Sequence, residues 1–187
     1  MILLVLAALC VVSVPLTGGS LRRLATLQVR WLWLGPVAVV VQTALVTIAP
    51  GGSETVHAVI HVGTYVMLGA FLWANRRLAG VAVIAAGAFL NGLAITVNGG
   101  VMPAAATAER VAGLTAGSGF HNSAVVAQPH LLWFGDIIPV PGPLANVLSV
   151  GDCIIFAGLL FFLHLTCRGD RTEPAVLAAA PAEPVVG

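Results

Sequence analysis

Five long apolar runs divide this chain, and they constrain its fold more than any other feature. Arginines, glycines or prolines separate the runs, and all but the first approach the roughly 20 residues that a helix needs to cross a bilayer. Their approximate bounds are residues 2–16, 31–49, 56–74, 78–97 and 144–166. The sequence therefore predicts an all-α membrane protein, in which residues 1–167 form a five-span transmembrane helical bundle.

Composition argues against several classes of protein. Charged residues make up 8% of the 187 positions and hydrophobic residues 59%, whereas about a quarter of a soluble domain is charged. Such a chain has too few ions to cover a globular surface, so its first partner is the lipid bilayer. The net charge of +1 argues against a nucleic-acid partner, because phosphate binding needs a basic surface. The three cysteines form no close pair, which argues against a disulfide framework and a structural zinc site.

The arginines predict how the spans are oriented, because cytoplasmic loops of membrane proteins are enriched in basic residues. Seven of the eight arginines follow the first, third and fifth runs, which five spans place on one side: Arg22, Arg23, Arg30, Arg76, Arg77, Arg168 and Arg171. We therefore expect a bacterial plasma-membrane protein with its N-terminus outside and its C-terminus in the cytoplasm. The first run lacks the basic flank of a signal peptide, so it is kept as a helix. Residues 168–187, rich in Ala, Pro and Glu, are expected to be a disordered cytoplasmic tail.

A stretch rich in Gly and Pro joins the fourth and fifth runs, and we call residues 98–143 the cap. It is too irregular for one helix and too apolar for a solvated loop, so we expect an ordered extracytoplasmic structure. Asn98-Gly99-Gly100 predicts a helix stop, and a short helix is expected from Ala104 to Ala112. A backbone nest for an anion such as a lipid phosphate is the functional alternative at the stop. Residues 137–143 contain three prolines, which exclude a regular helix or central strand, so this segment either lies at the interface or re-enters the bundle.

Polar side chains within the predicted spans concentrate in the halves nearest the cap. They are Gln42, Thr43, Thr47, His57, His61, Thr64, Asn91, Thr96, Asn98, Asn146, Ser149 and Asp152. His57 and His61 share one helix face, and a carboxylate inside a span, such as Asp152, is costly unless it is paired or hydrated. The pattern predicts an outward-facing polar cavity beneath the cap. Its expected ligand-binding residues are His57, His61, Asn91, Asn98, Asp136, Asn146, Ser149 and Asp152.

The histidines and aspartates are compatible with more than one chemistry. His57 and His61 would present two nitrogen ligands to a metal, with Asp152 as the third ligand; Asp136, His121 and His130 are further candidates. The alternative is a pair of interfacial histidines at a helix start. Asp136 and Asp152 suit acid–base chemistry or cation binding, although an Asp that follows Gly is also typical of a turn or cap. No catalytic residue and no cofactor follows from these patterns.

Several motifs resemble one known family. They are Asn98-Gly99-Gly100 with Met102-Pro103, then Leu132-Trp133-Phe134-Gly135-Asp136 with Ile138-Pro139 and Pro141, and finally Asn146-Val147, Ser149, Gly151 and Asp152. Together they resemble a family of bacterial integral membrane proteins that is known only as a domain of unknown function. The resemblance covers roughly residues 1–167. It implies a small multi-helix membrane protein, and it implies no activity, ligand or catalytic residue.

Three functions are compatible with the sequence. The first is a non-enzymatic binding or accessory protein, whose cavity takes a lipid, a quinone-like molecule or a small polar ligand, with a membrane protein as a further partner. The second is a membrane-embedded metal-dependent enzyme that uses His57, His61, Asp136 and Asp152. The third is a small transporter, which is disfavoured because the opposite halves of the spans hold little polarity beyond His164.

Overall fold

The structure is a computed structural model that describes residues 2–48, 53–114 and 123–168. Of the predicted tail it describes only Arg168, which belongs to a helix instead. The described chain is mostly helical. Its helices are α1 (Ile2–Leu16), α2 (Leu34–Ile48), α3 (Glu54–Ala74), α4 (Val81–Val97), α5 (Ala106–Ala112) and α6 (Val150–Arg168). The strands are β1 (Met102–Pro103), β2 (Ser123–Ala124), β3 (Asp136–Val140) and β4 (Asn146–Ser149), and short 3₁₀ helices cover Leu21–Thr26 and Leu132–Phe134.

Two of the described helices are long and apolar enough to cross a membrane. They are α3, over Thr55–Ala74, and α6, over Val150–Arg168, while α1 and α4 are shorter apolar helices. Large apolar side chains are exposed on the outer faces of the helices, among them Leu4, Val59, Val66, Phe89 and Leu165. A surface of this kind is rare on a soluble monomer and suits contact with lipid.

Helix α4 packs between α3 and α6, and glycines bring the backbones of α4 and α6 together. A Cβ atom added to Gly87 would lie 2.5 Å from the carbonyl oxygen of Gly151, which is backbone of α6. A Cβ atom added to Gly158 of α6 would lie 2.6 Å from the backbone nitrogen of Ile84. Small residues permit such close approach between membrane helices. Helix α4 is therefore the central one among these packed helices. On the outer sides, α2 packs against α3 and α1 packs against α6.

The predicted helix stop after α4 is confirmed. Asn98 is the residue that ends the helix, and Gly99 and Gly100 follow with φ angles of 69° and 91°. Only glycine fits at Gly100, because its φ is positive and an added Cβ would collide with Ala58 of α3. The short helix of the cap is also present as α5, which ends at Gly113 in the left-handed conformation.

The start of the fifth run differs from the prediction. Residues 144–149 are not helical: Asn146–Ser149 forms β4, which pairs antiparallel with β3, and α6 begins at Val150. The ribbon also contains Pro139, which the sequence argument had excluded from a central strand. A two-stranded ribbon consists only of edge strands, and these tolerate proline. The two small sheets are a departure from the predicted all-α fold.

The connections that carry arginine gather at the end of the bundle opposite the cap. Asn75, at the end of α3, donates from Nδ2 to the Arg30 carbonyl oxygen and accepts from the Arg30 N–H, both at 2.8 Å. Nearby, the Ser20 N–H donates to the carbonyl oxygen of Cys167 near the end of α6. Exposed tryptophans lie at both ends of the bundle: Trp31, Trp33 and Trp73 beside the arginines, and Trp133 on the cap. Tryptophan is enriched at the two interfaces of a membrane.

Candidate functional site

A cavity of about 440 Å³ lies between the helices and beneath the cap. Helices α1, α2, α3, α4 and α6 all contribute to its wall, together with β1, β2 and β3. Its polar lining consists of His61, Thr64, Tyr65, Asn91, Ser123, Asp136 and Asp152. Its apolar lining includes Leu3, Ala38, Val39, Leu68, Ile95 and Met102. Four of the eight residues that the sequence nominated, His61, Asn91, Asp136 and Asp152, therefore line one cavity.

A reciprocal pair of hydrogen bonds starts α6 and orients Asp152. The Asp152 N–H donates to Ser149 Oγ at 2.9 Å, and the Ser149 N–H donates to Asp152 Oδ2 at 3.0 Å. This is a capping box, in which two of the unpaired N–H groups at a helix start are satisfied. A negative carboxylate in the first turn also complements the helix dipole. The Ser-x-x-Asp spacing was visible in the sequence as a cap signal, and reading the run as one helix from residue 144 missed it.

Asn91 of α4 completes this network across the helix interface. Its Nδ2 donates to Asp152 Oδ1 at 2.8 Å, and its Oδ1 accepts from the Ser149 hydroxyl at 2.9 Å. Asn91 is 2% exposed and Ser149 is fully buried. Gly151 lies against the Asn91 side chain, where an added Cβ would collide with it. Each Asp152 oxygen thus has a hydrogen-bond donor, and the polar wall of the cavity is held in one geometry.

Asp136 brings a second carboxyl group to the cavity. It is the first residue of β3, opposite Ser149 in β4, and it is buried, at 8% exposed. Burial raises the pKa of Asp136 to about 7, the negative charges of Asp152 and Glu109 add to the rise, and a hydrogen bond from Ser123 opposes it. The side chain therefore changes its charge near neutral pH. The structure places it at the start of a strand, rather than in a helix cap.

The raised pKa of Asp136 predicts how the stability of the protein depends on pH. Because the folded-state pKa lies above the ordinary 3.8, at about 7, the folded protein binds the proton more tightly than the unfolded chain does. The free energy that protonated Asp136 adds to folding is complete below pH 3.8. It is lost as the pH rises from there to about 7, by on the order of 1 kcal/mol per pH unit. Asp136→Asn should remove this dependence. We expect the melting temperature of the variant minus that of the wild type to rise from pH 4 to pH 7; parallel curves would contradict the assignment.

His61 ties α3 to the turn after α4. Its Nδ1 lies 2.6 Å from the carbonyl oxygen of Gly100. Because a carbonyl oxygen can only accept, Nδ1 carries the proton in this bond. The hydroxyl of Thr64 donates to the His61 carbonyl oxygen at 2.6 Å, and the ring of Tyr65 lies 5.7 Å from the His61 ring. This side of the cavity is thus a packed group of α3 side chains facing the cap.

The other predicted ligand-binding residues do not line the cavity. His57 is buried in α3 and is not part of the cavity lining. Asn98 holds the cap by exchanging two hydrogen bonds with the backbone of His130, at 2.7 and 2.8 Å. Asn146 accepts from the N–H of Val147, and both Asn146 and Ser149 belong to β4 rather than to a helix. His121 and the side chains of Gln42, Thr43 and Thr47 lie outside the described residues.

The metal site expected from His57, His61 and Asp152 is not assembled. Within residues 2–48, 53–114 and 123–168, His, Cys, Asp and Glu side chains form no group of three or more that could hold a metal ion. Helical spacing correctly stacks the two histidines on one face, but only His61 reaches the cavity that Asp152 lines.

Comparisons with known proteins identify a family and a relative but no activity. Residues 26–164 match a family described as a family of unknown function, DUF5317. An uncharacterised protein of Thermotoga maritima is 34% identical over 114 residues, which are 60% of this chain and 66% of the relative. The match therefore spans less than two thirds of that relative. No solved structure matches the chain.

Proposed function

The chain belongs to the DUF5317 family, whose function is unknown, and from the geometry of its cavity we propose that it binds an amphipathic small molecule or lipid within the membrane. The single observation that carries the proposal is the polarity of the cavity. Buried hydrogen-bonding groups lie at the cap end, and an apolar wall continues from them between the helices. A volume of about 440 Å³ falls in the usual range of small-molecule sites, roughly 300–1,000 Å³.

The binding protein is a single transmembrane domain of residues 1–167 with five spans, oriented in the plasma membrane with its N-terminus outside. Arginines at one end and the cap at the other support this orientation. Tryptophans at both ends support the same boundaries. The cavity then lies in the half of the membrane nearest the cell exterior, with the cap over it. The segment that follows Arg168 lies on the cytoplasmic side.

The charge of the cavity restricts the polar group of the ligand. Asp136 and Asp152 both line it, and no arginine is among its described lining residues. Anionic ligands are disfavoured by two nearby carboxyl groups. We therefore propose a ligand whose polar end is cationic or donates hydrogen bonds, such as an amine or a polyol. Because a cation favours the charged carboxylate, its binding should also lower the pKa of Asp136 from the value of about 7.

The arrangement of the helices supports entry of the ligand from the lipid, between α1 and α2. Helix α1 packs against α6 and α2 against α3, and in the described chain these are their main helix contacts. Leu3 of α1 and Val39 of α2 nevertheless both reach the cavity. An apolar tail between these two helices would meet lipid. The polar end would then meet the carboxyl groups under the cap.

Substitutions that change the volume of the cavity test this proposal. Ala38 is buried in the cavity wall, whereas Val40, two residues along α2, is exposed and does not line the cavity. Ala38→Phe should fill the apolar part of the cavity and weaken binding of dodecylamine about tenfold or more, a difference of roughly 1.4 kcal/mol. Val40→Phe adds a ring of the same size on the lipid side and should leave binding unchanged. Calorimetry in nanodiscs measures both.

The same assay separates head-group selectivity from simple apolar partitioning. Dodecylamine, dodecanol and dodecanoate share one tail, so their order of affinity reports the polar end of the cavity. We expect the amine first and the carboxylate last. Equal affinities, or equal effects of the two phenylalanine variants, would contradict the proposed site.

A further inference from the structure

The end of the bundle opposite the cap is strongly basic. Six arginines lie there among the described residues: Arg22, Arg23, Arg30, Arg76, Arg77 and Arg168. The acidic residues of the described chain are elsewhere, at the start of α3, in the cap and at the start of α6: Glu54, Glu109, Asp136 and Asp152. The described part of this end therefore has positive charge without a carboxylate partner of its own. Its electrostatic complement is an anion from outside the described chain.

Three of these arginines line one polar groove. It has a volume of about 540 Å³ and is bounded by the segment before α2 and by the turn after α3, with Arg30, Arg76 and Arg77 in its wall. Asn75 fixes the two segments to each other through its pair of 2.8 Å hydrogen bonds to the Arg30 backbone. The groove is thus built by tertiary hydrogen bonds rather than by a loose loop.

Arg76 is oriented before any ligand arrives. Its Nη1 donates to the Trp73 carbonyl oxygen at 2.8 Å, and its guanidinium carbon lies 4.4 Å from the centroid of the Trp73 ring. A guanidinium has five N–H donors, so donors in addition to Nη1–H are available to phosphate oxygens. Holding the group over an aromatic ring reduces the entropy that a ligand must overcome to engage it.

An apolar groove continues from the same residue. It runs between α3 and α4 with a volume of about 610 Å³, and Trp73 and Arg76 stand at one end of it. Its wall includes Gly69, Leu72, Ala85 and Phe89. Gly69 has no atom within 4 Å of where a Cβ would be, which leaves the groove open on the lipid side. Arg76 belongs to both grooves, so a single molecule can occupy both.

We propose that this surface binds an anionic phospholipid of the cytoplasmic leaflet. The phosphate group lies among Arg30, Arg76 and Arg77, and one acyl chain follows the groove between α3 and α4. Basic residues at the membrane surface attract anionic lipids, and arginine suits phosphate because it donates in a planar fork. The site is separate from the cavity beneath the cap and does not depend on the ligand proposed for it, but it rests on the proposed orientation, which places this end of the bundle at the cytoplasmic leaflet.

The experiment is native mass spectrometry of the full chain in detergent, titrated with phosphatidylglycerol or phosphatidylcholine of identical acyl chains. We expect the first phosphatidylglycerol to bind at least about tenfold more tightly than phosphatidylcholine. The double variant Arg76→Gln/Arg77→Gln should remove this preference. Arg110→Gln, which removes an exposed arginine on α5 in the cap, is the matched control and should retain it.

Further measurements test where the acyl chain lies and whether free phosphate or a second copy of this chain occupies the grooves instead. Gly69→Phe fills the apolar groove without changing a charge, so it should weaken phosphatidylglycerol severalfold; an unchanged affinity would overturn the groove as the chain site. Inorganic phosphate at equal concentration should not displace the lipid, and displacement would indicate a simple phosphate site. A dimer that Gly69→Phe abolishes would instead assign the groove to a second copy. A preference that survives the double arginine variant would overturn the proposal.

Discussion

Gly87→Ala should destabilise the protein by about 2–3 kcal/mol, although alanine is the better helix former. The added Cβ would lie 2.5 Å from the Gly151 carbonyl oxygen and 2.9 Å from the Ile155 backbone nitrogen. Both are backbone atoms of α6, so no side chain can rotate away, and the two helices must separate. Overpacking of this kind costs about 1–3 kcal/mol, and the neighbouring hydrogen bonds of Asn91 add to the loss.

Gly69→Ala is the matched control, and its effect should have the opposite sign. This glycine lies inside α3, with no atom within 4 Å of the new Cβ. Only the propensity term remains, which favours alanine by about 1 kcal/mol. For a chain of this size each kcal/mol shifts the melting temperature by about 2–4 °C, so the two variants should differ by roughly 6 °C or more. Melting followed by circular dichroism in detergent measures this, and shifts of the same sign would refute the α4–α6 contact.

Much of the helical framework could be predicted from the sequence, because its signals are local. The ends of α3 and α4 follow from apolar length and from residues such as Asn98 and Gly100, whose backbone preferences act within a few positions. The stretch from residue 144 could not be assigned in this way. An apolar run does not distinguish a strand that leads into a helix from a longer helix, and the pairing of β3 with β4 depends on residues across a turn.

The candidate site was predictable only in part, for the same reason. Depth along the helices correctly grouped His61, Asn91 and Asp152 near the cap, and the cavity does contain all three. Which of them bond to one another is a tertiary property: Asn91 and Ser149 are 58 positions apart. His57 does not line the cavity although it shares a helix face with His61, and the periodicity of one helix could not show this.

Asn91→Ala should be strongly destabilising, with a loss of about 3 kcal/mol. It removes the 2.8 Å bond to Asp152 Oδ1 and the 2.9 Å bond from the Ser149 hydroxyl. Bonds to a charged group contribute about 1.5–3 kcal/mol, and a buried group that is left unsatisfied adds its own penalty. Asn98→Ala is the comparison within the same helix end. It removes two bonds to the backbone of His130 and one to the Ala94 carbonyl oxygen, at a partly exposed site, so about 1 kcal/mol is expected.

A double-mutant cycle distinguishes this network from ordinary packing. Asp152→Ala alone removes the capping box as well as the partner of Asn91, so it should also destabilise. Once Asp152 is absent, however, Asn91→Ala has only its contacts with Ser149 and Tyr65 left to lose. We therefore expect the double variant to be more stable than the sum of the single losses implies, by about 1–3 kcal/mol. Additivity within about 0.5 kcal/mol, from equilibrium unfolding in mixed micelles, would mean that α4 and α6 are not joined through this carboxylate. The polar wall of the cavity would then be three independent side chains, and the geometry on which the binding proposal depends would be lost.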